Sequence, residues 1–470
     1  MNSDLAARRA AVLRKRLAKA GLTADAAAAA TVVRRADRAT APLSPAQRRM
    51  WVLDWLDPSG IAYNVCLHVT FAGPLDVPAL RAAVRSMVVR HEVLRTRYPL
   101  GTDQLPRQHI DPAAEVAEFP VPLIDLRDRP PGAVEDLVDE LARHRFDLAR
   151  DWPLRTVLYR TGEQEYRLGL VVHHIAWDGG TWPVISAELT RGYAEAAGGA
   201  ATGAAAPLDL QYGDFAAALA DAPVRPADRD YWLDRLTDLP GPLALPADHP
   251  GAGGGGRRSM VFGPERTARF TALAAREGVT PFTVLLAAFG ALLNRYGAGT
   301  DVPIGSATMN RDSAKAQALI GNFGNTLVLR LDTSGDPSFT ELVRRADTVC
   351  SGGFAHQDMP YDQVVAALRE RGGSRDLDPF NVMLLFLTQG LVGPQLPGVR
   401  TAWRNVHNGT KKFDLSLEAF LIDGDLEIEA SYSGELFSAE RVDELLVDLR
   451  ALLDAVAAQP ATPLSALSVR

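Results

Sequence analysis

The chain has 470 residues, of which 47% are apolar and 23% charged, with a formal net charge of −7. That length exceeds what one hydrophobic core usually fills, so two lobes are expected, and the acidic balance argues against a surface built to hold nucleic acid. Two cysteines without CxxC spacing, Cys66 and Cys350, suggest neither a disulfide framework nor a zinc knuckle and fit a cytoplasmic setting; no run approaches the roughly 18 apolar residues of a membrane span.

Residues 5–19, LAARRAAVLRKRLAK, place Leu5, Val12, Leu13 and Leu17 near helical spacing with arginines opposite, until Gly21 stops the pattern. A short surface or docking helix explains this better than a targeting peptide. An Ala-rich stretch follows, read as a second short helix and a linker, so residues 1–42 form an N-terminal helical linker or docking segment. The folded body is expected from Leu43. There Ser44 can cap a helix with Pro45 at its first position and Met50, Leu53 and Leu56 on one face.

Strands and helices then alternate. YNVCLHVTF reads as a strand, VPALRAAVRSMVVRHEVL as a helix, TRYPL as a strand start and EDLVDELARHRF as a helix. LRTVLYRTG and EYRLGLVVHHI form a hairpin, and TWPVISAELTRGYAEAA is the next helix. Residues 196–207, AAGGAATGAAAP, read as a flexible connection between an N-terminal lobe (43–200) and a C-terminal lobe (201–470). The string GxGxxG from Gly251 to Gly256 lies in a proline-flanked loop, not between a strand and a helix, which argues against a dinucleotide site. The second half repeats the mixture: a helix in TPFTVLLAAFGALLNRYG, strands in VPIGSATM, TLVLRLD and NVMLLFL, an alternating run DLEIEASYSG and a last helix. Sheets covered by helices in both lobes give an α+β class, an α/β sandwich.

The stretch VVHHIAWDGG, residues 171–180, sets two histidines at the end of an apolar run. If Tyr166 to Ile175 is one buried strand, His173 and His174 point to opposite faces and cannot grip one metal ion. One is then structural and the other open to a cavity. Asp178 and Gly179 fall where the strand exits into a turn, with Thr181 available to cap the next helix. A glycine there lets backbone pass close to a substrate, and a buried Asp178 needs a cationic or hydrogen-bonding partner.

His173, His174, Asp178 and Gly179 spell HHxxxDG, which resembles the signature of nonribosomal peptide synthetase condensation domains and of the wider chloramphenicol acetyltransferase-like superfamily. LSPAQRRMWVLDWL, RHEVLRTRY, YGDFA, IGNFGNTLVLR, HQDMPYD and SRDLDPFNVMLLF resemble that family's other motifs in family order, and the final PLSALSVR is similar to a linker leading to an adenylation domain. Two departures stand out. Gly180 follows the motif where the family often has Trp, and the fifth motif reads NFGNT, with Asn322 and Gly324 in place of larger residues.

The resemblance implies two acetyltransferase-like lobes in a V-shaped pseudo-dimer with a substrate tunnel between them. It implies amide-bond formation between a donor thioester and an acceptor amine, each carried on the 4'-phosphopantetheine of an upstream or a downstream carrier protein. No metal and no cofactor bound by the domain itself is implied. His174 becomes the catalytic position, acting as a base or as a positioning group, with His173, Asp178 and Gly179 in support. Asp178 is expected to pair with Arg295 or Arg311. Asn325 either approaches the cavity or satisfies backbone in a turn. A superfamily acyltransferase using a free alcohol or amine, and a non-catalytic docking platform, are the competing readings; platforms can lose the second histidine, which is present here.

Overall fold

A computed structural model describes residues 32–467 except 117, 131, 199–207, 221, 249–250, 252, 373–377, 388–391 and 423. The expected helix at residues 5–19 lies outside the described residues, as does most of the connection at 196–207.

The first lobe is built on a five-stranded sheet in the order Arg400–Val406, Asn64–Ala72, Glu165–His173, Leu154–Arg160, Leu123–Asp125. Its central hairpin pairs Leu154–Arg160 antiparallel with Glu165–His173. Glu165–His173 is buried almost along its whole length because helices and neighbouring strands cover both faces, which explains its near-continuous apolar run. The second lobe has a six-stranded sheet in the order Asn325–Asp332, Asp301–Thr308, Val382–Leu387, Leu415–Ile422, Asp425–Ser433, Gly255–Val261. Helix Pro281–Arg295 packs into that lobe's core with eleven consecutive buried residues from Thr283 to Leu293. Its capping Thr280 accepts from the Thr283 amide.

The lobes interlock. Strand Arg400–Val406, from the second half of the chain, pairs antiparallel with Asn64–Ala72 and so completes the first sheet. Ala316, Leu319, Ile320 and Phe323, also from the second half, are buried in the first lobe's core. Chain halves and lobes therefore do not coincide.

Several sequence expectations need correction. Order begins before Leu43: Thr40–Pro42 is a strand on a small sheet with Arg107–Ile110, and Arg35 is tied to Asp214 and Glu92. Ser44 and Gln47 form a reciprocal cap on helix Pro45–Leu56, but Leu56 points to solvent at 60% exposure, because the buried face ends at Met50 and Leu53. TRYPL yields only a two-residue strand, Thr96–Arg97. The central strand stops at His173, and His174–Ala176 is a turn of 3-10 helix. Among the described residues no single helix is long and apolar enough to cross a membrane; a bent pair, Pro264–Glu277 with Pro281–Arg295, passes only jointly. Cys66 and Cys350 are both free and buried.

Candidate functional site

His173 is fully committed to structure. Its Nδ1 accepts from the Ile175 amide at 3.2 Å, so Nε2 carries the proton and faces Asp54 Oδ1 at 3.2 Å. With only 1% of its side chain exposed, the ring anchors the strand end to helix Pro45–Leu56.

His174 is turned the other way by the 3-10 turn that follows. Its amide donates to the Tyr63 carbonyl at 2.8 Å, and its own carbonyl accepts from Trp177 N at 3.1 Å and from Asn322 Nδ2 at 2.9 Å. The ring lies deep in the molecule, where burial above all, then the charges of Lys412, His173 and Arg49, push its pKa down to about 3. Yet the residue is only partly buried. Nδ1 is sealed from solvent without a hydrogen-bond partner among the described residues, so Nε2 is the ring nitrogen on the accessible side. At neutral pH this is an uncharged imidazole with one free lone pair.

The turn beyond it is held by Asp178, 5% exposed. Arg311 Nη2 donates to Asp178 Oδ1 at 2.7 Å and Arg311 Nε reaches both carboxylate oxygens at 3.1 Å. Of the two expected partners Arg311 is therefore the one in contact. Arg295, at the last turn of its helix, points instead to the Leu464 and Leu467 carbonyls at 3.4 Å. Asp178 also accepts from Gly180 N and Phe323 N, both at 2.9 Å. Thr181 is not the cap of the next helix but its first residue; its hydroxyl bridges Asp178 and the Gly321 carbonyl. The glycine at 180 has a steric cause, since a Cβ there would lie 2.5 Å from Arg311 Nε. Gly179 is exposed, a Cβ on it would touch Leu387, and its N–H meets no acceptor among the described residues.

Asn325 does not reach the site. Its amide donates to the Gln357 and Met359 carbonyls at 2.8 and 2.7 Å, and its oxygen accepts from Thr326 and Tyr361 amides. All of its hydrogen-bonding capacity is spent on the backbone of a turn, the second of the two expectations for it.

Two cations missed in the sequence stand near His174. Lys412 has a solvent-accessible side chain at a deep position, with Nζ 5.8 Å from the centre of the Tyr63 ring; burial pushes its pKa down while Glu418 pulls it up. Arg49 stacks 4.3 Å over Tyr361 and donates to Thr326, joining the first helix to the second lobe. Only their three-dimensional neighbours single them out; the pair KK at 411–412 gave no hint of which lysine stands near His174. No cluster of His, Cys, Asp and Glu suited to a metal occurs among the described residues. Two surface cavities, of about 680 Å³ beside Gly253–Gly256 and about 540 Å³ between Arg38, Arg90 and Arg95, are not lined by His174.

Comparison with known proteins places these features in a family. Residues 37–469 match the family model described as Condensation domain. The chain is 37% identical over 80% of its length to a probable non-canonical nonribosomal peptide synthetase, CymA, of Salinispora arenicola, and 34% identical over 94% to a dimodular nonribosomal peptide synthase of Bacillus subtilis. It spans only 5% and 19% of those two proteins. Among solved structures, the X-domain in its complex with OxyB from teicoplanin biosynthesis superposes with a TM-score of 0.80 at 27% identity, covering 94% of this chain and 98% of that one.

Proposed function

The chain belongs to the condensation-domain family, and from that premise we propose that it forms an amide bond between two carrier-bound substrates, with His174 at the reacting centre. The observation that carries the reading is the state of His174: a neutral ring, deep in the fold, with Nδ1 sealed and Nε2 open.

The donor is an acyl or peptidyl thioester on one carrier's phosphopantetheine arm, and the acceptor an aminoacyl thioester on another. Its α-amine titrates near 7.7 to 8, so an appreciable fraction is neutral at physiological pH. Nitrogen attacks the donor carbonyl, the C–N bond forms and the carbonyl oxygen becomes an oxyanion. Bond formation acidifies the N–H, and Nε2 accepts that proton. The C–S bond then breaks and the thiolate takes the proton from His174, leaving an amide and a free thiol. A ring that resists charge as strongly as this one is a weak base before the attack, so its first task is to accept a hydrogen bond that orients the amine. Alignment of the two tethered reactants is the larger contribution, up to about 7 to 11 kcal/mol. The free Gly179 N–H and the Lys412 ammonium are the groups suited to oppose the oxyanion.

A second reading, a docking platform for a partner enzyme, draws on the likeness to the X-domain solved with OxyB. Retention of His174 in an accessible setting favours catalysis. Loading separate carrier proteins with donor and acceptor panels and following transfer by intact-protein mass spectrometry tests the proposal: a mass gain on the acceptor carrier supports it, and none across the panels, with a partner enzyme bound instead, overturns it.

A further inference from the structure

We propose that Asn322 is a positioning residue that fixes His174 through its main-chain carbonyl, so that the two halves of the chain together aim the open ring nitrogen. The inference rests on the role of His174 proposed above and adds a residue from the opposite half of the chain. Asn322 occupies one of the positions where the fifth motif departs from its family's pattern.

The geometry is specific. Asn322 is 5% exposed, and its Nδ2 donates to the His174 carbonyl at 2.9 Å. Its Oδ1 accepts from Gly324 N at 3.2 Å, which fixes which end of the carboxamide faces His174. Its main-chain carbonyl accepts from the Tyr212 hydroxyl, itself 2.7 Å from Ser44 Oγ at the cap of the first helix. Segment 321–323 is thus pinned on both sides, with Gly321 O held by Thr181 and Arg311 and Phe323 N by Asp178.

The residue whose carbonyl Asn322 holds carries the ring with Nδ1 sealed and Nε2 on the accessible side. A neutral imidazole carries one N–H, so the ring serves the amine only when its Nε2 lone pair is aimed by the backbone that carries it. Once the carboxamide is gone, peptide 174–175 keeps Trp177 N on its carbonyl and His173 Nδ1 on its N–H, and loses its side-chain tie to the second half of the chain. The His174 backbone then shifts, and Nε2 no longer meets the amine in line.

The test uses Asn322→Asp, which keeps the shape and the acceptor for Gly324 but removes the donor, and Asn322→Leu, which removes both. We expect kcat for carrier-to-carrier transfer to fall about tenfold or more in either variant, with KM for both loaded carriers within twofold, because positioning rather than binding is lost. NMR of the histidine rings should show the His174 resonances shifted in either variant. In a His174→Ala background Asn322→Leu should lower the residual rate no further. Folded variants with wild-type kcat and unchanged His174 ring resonances overturn the proposal, as does failure of both to fold, which would make Asn322 purely structural. The NMR reading needs no substrate, so it separates this inference from the proposed reaction: an inactive wild-type protein whose His174 resonances still shift in the Asn322 variants refutes only the reaction.

Discussion

Asp178 and Arg311, 133 positions apart, meet with Nη2 2.7 Å from Oδ1 and only 6% of either side chain exposed. Arg311 spends its remaining donors on the Ala316, Leu319 and Gly321 carbonyls, so the pair ties the turn after His174 to the second half of the chain. Removing one partner leaves the other charge buried and unpaired, which costs about 3 to 5 kcal/mol. Asp178→Ala is therefore expected to lower unfolding free energy by that amount in chemical denaturation, with loss of activity following loss of structure. A loss below about 1 kcal/mol, the range of exposed pairs, would contradict this account of the turn.

Lys412 lowers the pKa of His174 by its charge, second only to burial. Lys412→Met should raise the midpoint of the His174 NMR titration while leaving the fold intact. An unchanged midpoint would place the ammonium too far from the ring to matter.

Asn325 makes four hydrogen bonds to backbone within the turn at 357–361 and to Thr326. Asn325→Ala should cost about 1 to 3 kcal/mol of stability by leaving those groups unpaired. In the variant that remains folded, turnover per folded molecule should match wild type. A selective drop in kcat at unchanged stability would return Asn325 to the reacting centre.

Burial holds His174 at about 3, and His68 and His407 at about 4, against an ordinary value of 6.5. Between those limits the unfolded chain binds more protons than the folded one. Stability is thus full above pH 6.5 and falls as the pH drops toward 4, by about 2 kcal/mol at pH 5 from His68 alone. His91 and His144 are lowered by burial too, while Glu429, held up to about 6 by burial, and the raised Asp358 and Asp378 work in the opposite direction. Denaturation midpoints measured at pH 7 and pH 5 should differ, with the lower value at pH 5; equal midpoints would contradict the burial of these rings.

Local pattern reveals much of this molecule. The hairpin ending in His173, the Ser44 cap and the long helix Pro281–Arg295 follow from periodicity and capping residues, because each depends on neighbours a few positions away. What escaped the sequence is long-range. Nothing local announces that Arg400–Val406 leaves its own lobe to pair with Asn64–Ala72, or that Ala316 to Phe323 fills the other lobe's core. The choice between Arg295 and Arg311 is of the same kind, since both are arginines near element ends and only the packing decides which faces Asp178. His174 could be named because its motif is contiguous. Asn322, Arg49 and Lys412 could not be assigned to it, because their relation to the ring exists only in the folded chain.

The most direct measurement is transfer between two separately loaded carrier proteins, read by intact-protein mass spectrometry, for wild type and His174→Ala at matched thermal stability. The account predicts that the variant folds, since no hydrogen bond to its ring is lost among the described residues, and that transfer slows roughly 100-fold to 10,000-fold. Wild-type rates from a folded His174→Ala protein would show that the open imidazole has no part in the reaction.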